Sequence, residues 1–122
     1  MKIKEAQEKI EKFDEERGWK GDWHLKDLAL NIIEEVGEFW NLIKWVDEEK
    51  QRKIISEQKE KASDFIGDTL FLILKMANKM NADSETALQN TLDEYEKRMP
   101  SEKMKQVKHA NKLAGGWDKK QE

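Results

Sequence analysis

The stretch spanning residues 32–46, IIEEVGEFWNLIKWV, constrains the fold of this chain more than any other. At about 100° per residue, its apolar positions and the preceding alanine form one broad helical face. That face consists of Ala29, Ile32, Ile33, Val36, Phe39, Trp40 and Ile43. Glu35 falls at the margin of the face, Glu38 lies further round, and Glu34 is the most exposed. Acids of this kind often lie on a solvated helix surface. An acid at the margin of a buried face loses hydration, however, and needs a cation nearby to stay ionised.

A second segment, residues 63–80, is apolar around nearly its whole circumference. Its apolar members are Phe65, Ile66, Leu70, Phe71, Leu72, Ile73, Leu74, Met76, Ala77 and Met80. A helix of this kind must be buried on several sides, and a small chain cannot easily cover it. The segment therefore predicts a second subunit, in a homodimer or a tetramer. Its one narrow polar strip holds Asp64, Asp68, Lys75, Asn78 and Lys79.

The rest of the chain also has helical patterns, which predict an all-α fold. Residues 2–17 form an amphipathic helical pattern, which ends at Gly18 and Gly21. The next helix is expected to begin after Asp22, its N-cap, and to run to about Val46. Residues 47–62 are strongly charged and predict a loop followed by the exposed start of the third helix. A fourth helix, capped by Asp83 or Ser84, ends at Pro100. We expect a helical domain over residues 1–100 and a basic arm over residues 101–122.

Composition excludes several classes of function. The length of 122 residues suggests one domain. The net charge is −3, and acids and bases are intermixed without a basic patch, so we expect no nucleic-acid partner. The chain has no cysteine, which rules out disulfides and thiolate metal sites. We see no signal peptide and no apolar run of membrane-spanning length. The sequence predicts a soluble cytoplasmic protein with no membrane partner.

The acids of the two central helices form two pairs. Glu35 and Glu38 lie on one helix, and Asp64 and Asp68 are an i,i+4 pair on the next. If the helices face each other, close carboxylates repel by about 1–4 kcal/mol per pair, which a hard divalent cation relieves. Oxygen ligands without His or Cys favour Mg²⁺, with Mn²⁺ as a substitute. Such a site can orient a polyphosphate and activate water, and no Walker-type loop is present to bind phosphate otherwise.

Two other features each allow two interpretations. Both acidic clusters carry a mid-helix glycine, Gly37 and Gly67, which costs about 1 kcal/mol relative to alanine. Close helix packing and room for a metal–phosphate complex would both explain it. Trp19 and Trp23, around the glycine-bearing link, either pack at the start of a helix or line a base-stacking pocket. His24 could cap the helix, pack at its start or touch a base.

These motifs in combination resemble the all-α nucleoside triphosphate pyrophosphohydrolases of the MazG type. That family has EExxE on one helix and ExxD on the next, and this chain has EEVGE at 34–38 and DFIGDTLFLILKMANKMNAD at 64–83. DWHLKDLAL at 22–30, KW at 44–45 and YEKRMP at 95–100 are closer to the family's dCTPase-like branch. The likeness covers roughly residues 5–105.

The resemblance implies an antiparallel four-helix bundle, completed by oligomerisation, that hydrolyses a nucleoside triphosphate to the monophosphate and pyrophosphate with Mg²⁺. By position, Glu35, Glu38 and Asp68 match metal ligands. Glu34 matches the leading acid of EExxE, so Glu34, Glu35 and Glu38 are the expected catalytic acids. Residues expected to contact substrate are Trp23, His24 and Trp45 at the nucleobase, and Lys44, Lys97 and Arg98 at phosphate oxygens.

One departure from the family pattern bears on activity. The place of the ExxD glutamate is taken by Phe65, and Asp64, one residue earlier, is the obvious substitute as a metal ligand. Asp64 points about 100° away from that place and has a shorter side chain. The alternative hypothesis is therefore a catalytically altered relative that binds nucleotide or acts as a helical interaction module.

Overall fold

The computed structural model describes residues 1–106, and these form helices without any β-strand. In chain order the helices are α1 (Ile3–Glu16), α2 (Leu25–Ile43), α3 (Glu48–Glu57), α4 (Lys59–Lys79), α5 (Ser84–Arg98) and α6 (Ser101–Met104). The all-α prediction is confirmed. The chain divides into two compact units, Met1–Asp83 and the part that begins at Ser84. Most of the predicted basic arm lies outside the described residues.

In the first unit, α4 is the central helix. It packs most extensively against α2 and less extensively against α1, while α3 contacts both α2 and α4. Leu28 of α2 is the most deeply buried large apolar side chain, and Leu74 and Ala77 of α4 are also buried. Helix α4 therefore places its acidic strip within reach of α2 and its C-terminal half within reach of α1.

The boundaries of α2 differ from the sequence prediction at both ends. The helix begins at Leu25 with His24 at the N-cap, so Asp22 is not the cap. Instead, the backbone N–H of Asp22 donates to the carbonyl of Trp19 at 3.2 Å, within the turn that follows Gly18. At the other end α2 stops at Ile43, short of Val46.

A tight turn explains the early end of α2. Trp45 has a φ of +66°, in the left-handed region, and a helix cannot continue through it. Asp47 then starts α3, because its side chain accepts a hydrogen bond from the backbone N–H of Lys50 at 2.8 Å. The first part of the charged segment, predicted as a loop, is thus a separate helix, and Gln58, with a φ of −120°, divides it from α4, which begins within the segment as predicted.

The second unit begins with α5, which matches the predicted fourth helix. It starts at Ser84, and after Arg98 the backbone N–H of Met99 still donates to the carbonyl of Tyr95 at 2.7 Å. Pro100 then precedes the single turn of α6, so the first residues of the predicted arm are helical. Among residues 1–106, no helix has the length and hydropathy that crossing a bilayer requires.

The apolar face predicted for α2 is only partly buried. Ile33 is 66% exposed and Trp40 is 55% exposed, whereas Leu28, on the side nearer Glu35, is buried. Helix α2 is thus rotated so that its packed side is closer to Glu35 than hydrophobic periodicity indicates. Helix α4 also leaves an apolar stripe open, at Ile66, Leu70 and Ile73.

Candidate functional site

The acidic residues of α2 and α4 line one cleft between the two helices. The cleft has a volume of about 340 Å³, and its walls are formed by Glu35, Glu38, Phe39, Leu42, Lys61, Asp64, Phe65 and Asp68. The packing of α2 on α4 thus brings together both acid pairs that the sequence singled out. Lys61 and three apolar side chains from the same two helices form the rest of the wall.

Glu35 has the most perturbed environment of the four acids. It is half-buried, whereas Glu38, Asp64 and Asp68 are exposed. Loss of hydration raises the pKa of Glu35 above its ordinary value of 4.5, and the negative charges of Asp68, Glu38 and Glu34 raise it further. The carboxyl group of Glu35 therefore lies in a region of negative potential that a bound cation would relieve.

A second cavity, of about 300 Å³, adjoins this cleft. It is lined by Asn31, Glu34, Glu35, Asp68, Phe71 and Leu72. Glu35 and Asp68 line both spaces and so form the boundary between them. Glu34 therefore shares the second cavity with Glu35 and Asp68, but it does not line the cleft that holds Glu38 and Asp64.

The donor chemistry of the cleft fits a hard divalent cation. Its acidic ligands are all carboxylates, the oxygen donors that Mg²⁺ prefers, and three of the four are exposed and so free to rotate. In their present rotamers, no three Asp, Glu or His side chains within residues 1–106 converge closely enough to hold a metal ion. Binding would therefore require these carboxylates to rotate toward one another.

Phe65 fills the position where the family pattern has its glutamate. Its ring stacks on Phe39 of α2, with centroids 4.6 Å apart and planes 15° from parallel. The two half-buried rings line the cleft. Asp64 also lines the cleft, so its carboxylate is available there despite the different direction of its helical position.

Lys61 is a cleft residue that sequence reasoning missed. It lies three residues before Asp64 and seven before Asp68, so helical periodicity places it on the same face of α4. This spacing was the signal that could have identified it. Its ammonium group is the one cation among the residues that line the cleft.

The structure places four of the predicted substrate-binding residues away from the two acidic cavities. His24 is exposed at the N-cap of α2, and Lys44 is half-buried at its C-cap. Trp45 is 90% exposed in the turn that follows. Trp23 is half-buried, and the centroid of its ring lies 4.7 Å from Nζ of Lys75. None of the four lines either acidic cavity, and their contact with substrate stays a prediction.

The other two predicted phosphate contacts, Lys97 and Arg98, lie in the last turn of α5 in the second unit. Arg98 pairs with Glu94 at 2.9 Å, and its guanidinium carbon lies 5.3 Å from the centroid of the Tyr95 ring. Lys97 is exposed. Their contact with phosphate also stays a prediction.

The two glycines of the acidic helices border open space. A Cβ atom built on Gly37 or Gly67 would meet no other atom within 4 Å among the described residues. Close packing among residues 1–106 therefore does not explain why glycine is present. The space is available to a ligand or to a second subunit.

Fold and geometry together define an all-helical protein with an acidic cleft between two packed helices. Comparison with family models, with curated proteins and with solved structures gives no match to this chain. The likeness to MazG-type enzymes therefore rests on the sequence motifs alone.

Proposed function

We propose that this chain is a Mg²⁺-dependent nucleoside triphosphate pyrophosphohydrolase, which converts an NTP or dNTP to the monophosphate and pyrophosphate. The observation that supports it is the single cleft into which α2 and α4 direct Glu35, Glu38, Asp64 and Asp68. Cleavage of this kind would remove unwanted nucleotides from the cytoplasmic pool.

Each group of the cleft has a role in this proposal. Glu35, Glu38 and Asp68 hold the ion, and Asp64 serves in place of the missing glutamate. A bound Mg²⁺ neutralises phosphate oxygens and lowers the pKa of its water ligands. Lys61 lies in the same cleft and offers its ammonium group to a phosphate oxygen. Glu34, on the other side of the boundary formed by Glu35 and Asp68, adds negative charge that favours cation binding.

Product analysis tests this proposal directly. The purified protein is incubated with Mg²⁺ and each of a panel of NTPs and dNTPs, and pyrophosphate is distinguished from phosphate. We expect pyrophosphate from at least one substrate, and its loss in Glu38→Gln. The matched control is Glu57→Gln, which changes an exposed acid on α3 that lines neither acidic cavity. Absence of pyrophosphate across the whole panel would reject the enzyme.

A second candidate function is nucleotide binding without turnover, or a role as a helical interaction module. The stacking of Phe65 on Phe39 favours it, because an aromatic ring takes the place of a carboxylate at the cleft. This candidate predicts that a nucleotide with Mg²⁺ raises the melting temperature while no product forms.

Exposed apolar side chains on α2 and α4 support self-association of the chain. The apolar stripes on α2 and α4 expose Ile33, Trp40, Ile66 and Leu70, and each of these side chains is more than half accessible. Apolar surface of this extent on adjoining helices is characteristic of a subunit interface. We propose that a second copy of this chain covers it, in a homodimer or a tetramer.

A further inference from the structure

A buried ion pair lies outside the acidic cleft. Lys75 of α4 donates a hydrogen bond to Oδ1 of Asp14 on α1, with a distance of 3.1 Å between the nitrogen and the oxygen. The side chain of Lys75 is 4% exposed and that of Asp14 is 9% exposed. Such pairs contribute little net stability, because dehydration of two charges offsets most of their attraction. The pair does, however, fix the relative position of the groups around it.

Three aromatic rings surround the ammonium of Lys75. The ring centroids of Trp23, Trp19 and Phe71 lie 4.7, 5.4 and 5.7 Å from its nitrogen. A cation that has lost water is attracted strongly to the faces of such rings. Two of these rings belong to the turn between α1 and α2, and the third belongs to α4. Lys75 thus joins the turn to the central helix.

The other side-chain contacts of the turn, residues 17–24, lie mostly at the surface: Nζ of Lys20 pairs with Glu15 at 3.0 Å, and the guanidinium carbon of Arg17 lies 3.6 Å from the centroid of the Phe13 ring. Gly18, Lys20, Gly21 and Asp22 are exposed. Beyond its own backbone bonds, the carbonyl of Lys20 accepts from Nζ of Lys79 at 3.3 Å in an exposed setting. The Trp19 ring also meets Phe13 edge-on, with centroids 6.0 Å apart. The buried ammonium is therefore the best protected of the side-chain contacts that hold this turn.

Phe71 connects this cluster to the candidate site. Its ring meets Phe13 of α1 edge-on at 5.8 Å, and the same residue lines the cavity that contains Glu35 and Asp68. A change in the position of the cluster therefore changes one wall of that cavity.

We propose that Asp14 and Lys75 are positioning residues that form a latch. Their bond holds the turn between α1 and α2 in a single position against α4, and it thereby fixes the Phe71 wall of the acidic cavity. The latch is a property of the fold and does not depend on the hydrolase activity, so each can fail without the other.

Hydrogen exchange of backbone amides tests the latch in the full chain. Lys75→Met removes the charge and approximately keeps the volume. We expect the amides of Gly18, Trp19 and Asp22 to exchange at least about tenfold faster, while those in the middle of α2 keep their rates. The matched control is Lys59→Met, the same substitution at an exposed position of α4, which leaves the turn unchanged.

Two results would overturn the proposal. One is unchanged exchange in the turn of a folded Lys75→Met protein, and the other is a uniform acceleration across all helices, which would make the pair an ordinary stabilising contact. If Lys75→Met does not fold, Asp14→Asn decides the matter, because it keeps the shape and a hydrogen-bond acceptor while it removes one charge. Faster exchange confined to the turn supports the latch, and an unchanged turn rejects it.

Discussion

At the scale of single residues, environment separates acids that look alike in the sequence. Glu34, Glu35 and Glu38 lie within five positions, yet only Glu35 is half-buried and has a pKa raised above the ordinary value. Dehydration is the largest cause, and the neighbouring carboxylates add to it. The charged form of Glu35 is therefore less favourable in the folded chain than in the unfolded chain, and a bound cation would offset this difference.

This raised pKa predicts the effect of Glu35→Gln on stability. A group whose folded pKa is raised stabilises the fold below its unfolded pKa, near 4.5, and loses that contribution as the pH rises through the folded value. Glutamine resembles the protonated acid, so at pH 7 without metal we expect a higher melting temperature, and the gain disappears below pH 4.5. Thermal denaturation against pH measures this, with Glu57→Gln as the control. A lower melting temperature at pH 7 would contradict it.

The Phe65 position predicts a change in rate. If the missing carboxylate limits catalysis, Phe65→Glu should speed pyrophosphate release by about tenfold or more, because the added carboxylate supplies the ligand that Asp64 replaces with a shorter side chain. Stability should fall by about 1 kcal/mol or more, since the stack on Phe39 is lost. Phe65→Leu is the control, because it removes the stack without adding an acid. No gain in rate with Mg²⁺ would show that Asp64 already suffices.

At the scale of elements, α4 uses one polar strip for two purposes. Asp64 and Asp68, in its first half, line the cleft against α2, whereas Lys75 and Asn78 bind α1. The amide of Asn78 donates to the carbonyl of Gln7 at 3.0 Å. The strip therefore serves the candidate site at one end and the packing of helices at the other.

The open space beside α4 predicts that Gly67→Ala stabilises the isolated subunit. A Cβ at this position meets no atom within 4 Å, and alanine is favoured over glycine in a helix by about 1 kcal/mol. Urea denaturation should show a gain of this order, and Gly37→Ala serves as a parallel variant because its surroundings are equally open. A loss of stability, or weaker self-association, would show that a second subunit uses the space.

At the scale of the whole molecule, the described chain leaves much of its apolar surface exposed. Ile33 and Leu70 are more than half accessible although each lies in a strongly apolar helix. Burial of apolar area provides the main driving force for association, at about 25 cal/mol per Å². A chain with this surface is expected to associate with itself.

This surface predicts that the protein is a dimer or a larger assembly in solution, and that Leu70→Asp dissociates it. Light scattering coupled to size-exclusion chromatography gives the mass directly. Ser56→Asp, an equal charge change at an exposed position on α3, should keep the mass of the natural chain. A natural chain that is monomeric at micromolar concentration would refute the prediction.

The sequence by itself determined the helices and the acidic character of the site. Helix formation depends on residues within one or two turns, so periodicity was sufficient to predict α1, α4 and α5 and to place Glu35, Glu38, Asp64 and Asp68 on two successive helices. The end of α2 was missed because it depends on the left-handed turn at Trp45.

Tertiary structure alone decided which residues meet across the chain. Lys75 shares a helical face with Asp64 and Asp68, yet it is buried against Asp14, 61 positions away. Phe65 occupies the cleft because Phe39 lies opposite it. The rotation of α2, which half-buries Glu35 and exposes Ile33, likewise follows from its packing on α4. Periodicity fixes direction around one helix axis, whereas burial depends on the neighbouring helix, which no local pattern specifies.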